Sequence, residues 1–199
     1  MDRIKIYIKD KYGLSNYQIA QLAFVFKSTS SELSKILIMG IVFHNHLRLY
    51  AFLLLIMCFI RTFSGGLHFS TYYRCLIAST IYIGSIIVFF SKITLPLYIR
   101  LFLLTLCIIA CYIIGPVLSK YRTHFPEKQL YFCRNITCFA IFIYTLIMYI
   151  IPENPYFTAG FWMIILHSLQ LFVAKIRRKG EYTQWLVAYY ALLLHGPGL

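Results

Sequence analysis

The sequence predicts an all-α, polytopic integral membrane protein with four full spans plus an N-terminal helical hairpin, six membrane segments in all, preceded by an interfacial amphipathic helix. Three observations predict it. Of 199 residues 60% are apolar and only 13% charged, where a soluble domain carries roughly 25%, and the mean hydropathy is +0.73. Nineteen Lys and Arg against six Asp and Glu leave a formal charge of +13. Those cations cluster between the apolar runs rather than within them, as in the cytoplasmic flanks of membrane helices. The scarcity of carboxylates argues against chemistry that needs paired acids, such as a two-carboxylate glycosidase or a calcium site.

In chain order, residues 1–31 form a basic cytoplasmic or interfacial arm, 32–174 the membrane segments and their loops, and 175–199 a basic tail, all within one membrane domain. The first residues lack the apolar core and cleavage site of a signal peptide. Residues 15–27 offer Ser15 as an N-cap and an apolar face with Tyr17, Ala20 and Phe24, a pattern for a helix lying on the membrane. The apolar stretches 36–47 and 49–60 are 12 residues each, separated by Arg48 in the cluster His44-Asn45-His46-Leu47-Arg48. One long span would bury Arg48 near the midplane at about 2.5 to 3.5 kcal/mol, so a hairpin with that cluster at its turn is favoured. Charge-free intervals at 75–91, 101–119, 135–152 and 154–174 are each close to the ~20 residues that cross hydrocarbon. The basic flanks place both termini, the 61–74 segment and the 119–134 loop in the cytoplasm, with the acidic Pro152-Glu153-Asn154-Pro155 turn outside. A second apolar patch, 185–194, is too short to cross and reads as interfacial.

One segment does not behave as membrane filler. Between Arg61 and Cys75 the chain combines Gly65-Gly66, His68 and Cys75 at a membrane boundary. The glycines permit a turn or a close approach, His68 titrates near neutrality, and Cys75 is a nucleophile that such a base activates. In one straight helix the two would stand about 10.5 Å apart, so joint action needs His68 on a bend that folds back, with donors near the glycines or Arg61 for an oxyanion. A cysteine that only packs and a glycine pair that only caps a helix remain open on these residues alone. Glu32 or Glu127 could orient His68, and so could a hydroxyl or a carbonyl. His44-Asn45-His46 matches the letters of a nuclease motif but lacks further ligands. Cys107 and Cys111 read as core packing, His167 as a hydrogen-bonded interior residue and His124 as solvated. No metal or cofactor is expected, and no nucleic acid.

Arg61-x-x-x-Gly65-Gly66-x-His68 followed by Cys75 at the start of an apolar helix resembles the signature of the accessory gene regulator protein B (AgrB) family, bacterial membrane endopeptidases that mature quorum-sensing peptides. The likeness covers most of the chain: the basic amphipathic arm, the long apolar region before the motif, and Pro116 followed by a basic loop to Arg134. The resemblance implies Cys75 as nucleophile and His68 as its base, with Arg61, Gly65 and Gly66 supporting their geometry. It also implies an AgrD-like propeptide as substrate, whose acidic tail would meet Lys120, Arg122 and Lys128 or the Arg61 and Arg74 pair, unless the loop cations serve topology alone, with membrane lipid around the protein and a homodimer allowed. The tail beyond Gly180 is longer than the family leads one to expect. A small peptide transporter is the competing class, and it predicts ionisable residues inside several spans, whereas only His167 stands there.

Overall fold

The computed structural model describes residues 11, 13, 15–67, 71–117 and 126–195, with side chains as far as Arg177. The described elements are helices: α1 (Asn16–Val42), α2 (Leu47–Ser64), α3 (Tyr72–Val88), α4 (Leu97–Ile114), α5 (Glu127–Ile150) and α6 (Pro155–His195), with 3-10 turns at His44–His46 and Phe90–Lys92. Five stretches among them are long and apolar enough to cross a membrane: His44–Ser64, Tyr72–Lys92, Leu97–Ile114, Glu127–Ile150 and Pro155–Arg177. The chain is a multi-pass membrane protein.

α1 belongs to a first unit and the other helices to a second. Ser15 does cap α1. Its Oγ accepts from the Gln18 amide at 3.2 Å while its own amide donates to Gln18 Oε1 at 2.9 Å, a reciprocal box that satisfies two orphan donors. The helix does not stop at Lys27. It runs unbroken to Val42, because the run Ser28-Thr29-Ser30-Ser31 contains neither glycine nor proline and an ion pair from Lys35 to Glu32 ties the next turn. The expected surface helix and the first arm of the hairpin are therefore one helix. It ends inside the predicted turn, where His44 Nδ1 meets the Ile41 carbonyl at 3.1 Å.

The second arm is longer than its charge-free interval, since Arg48 lies in the first turn of α2 and Arg61 in its last. Long cationic side chains at helix ends reach back to the interface, so counting only between charges underestimates a span. His44–Ser64 reaches 21 residues, making five crossing-length helices where four and a hairpin were expected. The same effect moves α4 four residues upstream of Leu101, taking in Arg100, which is buried and donates Nη1 to the Pro152 carbonyl at 2.9 Å. At the other extreme, α6 continues past Ala174 to His195 as one helix of 41 residues rather than ending before a separate patch.

Within the second unit α6 is the axis. It packs against α2, α3 and α4, while α5 packs against α2 and α4. Of its apolar stretch 56% is buried, against 17% to 28% for the other four. Gly160 makes this possible, because a Cβ there would lie 2.5 Å from Tyr144 Oη on α5 and 2.9 Å from Ile56 Cδ1 on α2. The core around it includes Ile60, Leu104, Cys107, Cys111, Ile141, Met148, Phe161 and Ile164. Six hydroxyls inside the apolar helices find partners within their own helix: Thr62, Thr80, Thr105, Thr137, Thr145 and Ser168 each donate to the carbonyl one turn earlier, at 2.7 to 2.9 Å. In hydrocarbon such groups have no water to turn to.

Candidate active site

The signature residues sit where α2 ends and α3 begins. α2 stops because Gly65 adopts φ +76° and Gly66 φ +150°, a region that side chains disfavour. Gly65 is required twice over, since a Cβ there would stand 2.0 Å from the Val117 carbonyl oxygen. That contact reflects a parallel β-bridge between Gly65 and Val117. The Val117 amide donates to the Ser64 carbonyl at 2.9 Å, and the Gly66 amide donates to the Val117 carbonyl at 3.3 Å. The segment Gly115-Pro116-Val117 after α4 is thus the second wall of the glycine turn.

Arg61 brackets the same turn with both its main chain and its side chain. Its carbonyl accepts from the Gly65 amide at 3.0 Å, and its Nη2 donates to the Leu67 carbonyl at 2.8 Å. Arg61, Gly65 and Gly66 thus form one clamped turn. Both glycine amides and this Arg61 nitrogen are engaged in hydrogen bonds within the turn.

Cys75 lies in the first turn of α3, half-buried, its amide donating to the Thr71 carbonyl at 3.2 Å. The amides of Tyr73 and Arg74 precede that first intrahelical bond, and helix N-termini present such amides to anions. His68 falls outside the described residues, as do Lys120 and Arg122. Lys128 is exposed in the first turn of α5 next to Glu127. Glu32 is held by Lys35.

Other residues at this end were read in the sequence as flanks or filler. Arg134, on α5, donates Nε to the Gly115 carbonyl at 3.1 Å and lies over the Tyr112 ring at 5.4 Å. Lys175, on α6, donates Nζ to the Ile113 carbonyl at 3.1 Å. Both satisfy carbonyls left over at the C-terminus of α4, where cations are also favoured by the helix dipole. His167 is interior and hydrogen-bonded, as expected, and its partner is Ser64 Oγ at 2.7 Å. Ser64 carried no signal beyond its place before the glycines, and Val117 none at all. Cys107 and Cys111 are core residues, Cys111 facing Ser168 at 3.6 Å.

The profile of the accessory gene regulator B family matches residues 2–172. The chain belongs to the AgrB family. Membership implies a role in agr quorum-sensing peptide maturation. The matched stretch contains the clamped turn, Cys75, Val117, Arg134 and His167. A protein of Clostridium beijerinckii described as AgrB-like is 26% identical over 155 residues, covering 75% of each chain. No solved structure matches the chain.

Proposed function

We propose that the chain is a membrane cysteine endopeptidase that cleaves the C-terminal tail from a membrane-bound propeptide and returns the remainder as a ring. His68 takes the Cys75 proton, and the thiolate adds to the carbonyl at the cleavage site. The amide C–N bond then breaks, the leaving amine takes its proton back from the His68 imidazolium, and the N-terminal portion stays as a thioester on Cys75. An internal cysteine or serine of the same propeptide attacks that thioester, forming a thiolactone or lactone and releasing Cys75 as its thiol. Thioester exchange between sulfurs is nearly isoenergetic, so the acyl group remains activated. The tethered nucleophile outruns water through high effective molarity.

The observation that carries this reading is the placement of Cys75 in the first turn of α3, immediately after the clamped turn whose exit leads to His68. The Tyr73 and Arg74 amides are the donors we assign to the oxyanion, replacing the glycine amides. Lys120, Arg122 and Lys128 are assigned to the acidic tail of the propeptide. The deciding experiment is mass spectrometry of the purified protein mixed with a synthetic propeptide that carries an internal cysteine and an acidic tail. An acyl adduct on Cys75, absent from Cys75→Ala and His68→Ala, is expected; cleavage that survives Cys75→Ala would falsify the reading. Reversing Lys120, Arg122 and Lys128 to Glu should weaken tail binding and flatten its salt dependence, since exposed charges are screened beyond about 8 Å at physiological ionic strength. Equal rates and salt slopes would remove those residues from the substrate site.

A further inference from the structure

We infer that His167, in the middle of α6, is a positioning residue for the turn that delivers His68, acting through Ser64. The inference rests on the proposed role of His68. Ser64 is buried and its Oγ has two close partners, the Ile60 carbonyl at 2.8 Å and His167 Nε2 at 2.7 Å. Either tautomer of His167 keeps this bond, Nε2 donating to Oγ when it carries the ring proton and accepting the hydroxyl proton when it does not. In both cases the pair fixes the last residue of α2 from the side of α6.

The main chain of Ser64 is held as well, because its carbonyl accepts from Val117 at 2.9 Å. Residues 64 to 67 are therefore gripped from three directions: by His167 on α6, by Val117 after α4, and by Arg61 on α2 through the Leu67 carbonyl. Leu67 is the residue before His68 in the chain. A turn with two left-handed glycines has little intrinsic preference for one geometry, and a displacement of about 1 Å at a catalytic group can cost 10²-fold in rate. Removing the His167 bond frees one side of the turn that leads on to His68 in the chain, while Cys75 stays in α3.

The test follows alkylation of Cys75 by iodoacetamide in the full-length protein in detergent micelles, resolved from the other cysteines by peptide mass spectrometry. His68→Ala is expected to slow alkylation at least tenfold. His167→Leu and Ser64→Ala should each slow it about fivefold or more, and His167→Gln, which keeps a donor at similar reach, should return it to within twofold of wild type. In the His68→Ala background, His167→Leu should add nothing, a non-additivity that damage to packing would not produce. If His68→Ala is slow but His167→Leu matches wild type, or His167→Gln is as slow as His167→Leu, the inference falls while the role of His68 stands. If His68→Ala alkylates at the wild-type rate, both fall together. Should His167→Leu not fold, Ser64→Ala carries the comparison; failure of both to fold would make the pair a requirement of the fold and overturn the positioning role.

Discussion

At one end of the α2–α6 bundle the loops meet backbone to backbone, with Gly65 and Gly66 against Val117. At the other end they are joined by side chains: Arg100 of α4 reaches the Pro152 carbonyl, and Trp162 Nε1 of α6 reaches the Ile93 carbonyl at 3.0 Å. Both arrangements satisfy carbonyls that lipid cannot. The difference lies in tolerance. A long side chain can re-aim when its partner shifts, whereas two main chains 3 Å apart cannot accept an added atom. Stiffness is placed at the glycine turn, and adaptability where only the loops must be closed.

The most severe way to break this contrast is Gly65→Ala, because the new Cβ meets a backbone oxygen at 2.0 Å and no side chain can swing aside. Release of the propeptide tail should fall about 10²-fold, measured per folded molecule in detergent. A variant within threefold of wild type would show that the bridge does not set the site. Gly66→Ala tests conformation without crowding, since the nearest atom to its Cβ would be Arg61 Nε at 3.8 Å. The backbone strain of about 1 to 3 kcal/mol should lower the same rate roughly tenfold, less than Gly65→Ala.

At the opposite end, Arg100→Met should reduce thermal stability by about 1 kcal/mol and leave cleavage per folded molecule unchanged. Its Nε is buried with no hydrogen-bond partner, so losing that desolvated nitrogen offsets part of the lost bond to Pro152. A tenfold fall in rate with unchanged stability would erase the division between the ends. The smallest effects are expected at Lys175→Met and Arg134→Met, each removing one cap from the α4 C-terminus at about 0.3 to 1 kcal/mol, with rates within about threefold of wild type.

Composition and the spacing of Arg61, Gly65, Gly66, His68 and Cys75 are enough to read a helical membrane protein and its family. Helix boundaries are less legible because a charge does not mark the end of a span. Arg100 shows why that fails: its head leaves the apolar zone by bonding to a loop 52 residues away. Pro116 is part of the family likeness, but nothing in the sequence pairs Val117 with Gly65, since those bonds are made by main-chain groups that every residue carries. His167 did stand out as the ionisable residue in the last span, but its partner at position 64 lies 103 residues away. No periodicity or spacing connects the two.

Gly160 has a consequence beyond close packing. It stands seven residues before His167 on α6, as Ile56 stands eight before Ser64 on α2, so the two helices run parallel and touch at matched levels about two turns apart. The missing methyl works as a keyway. Sliding α6 by one residue would bring Ala159 or Phe161 to the notch and carry His167 off Ser64. The depth at which the turn sits is thereby gauged from the notch two turns away, and the midsection acts as a ruler for the glycine turn at the end of α2.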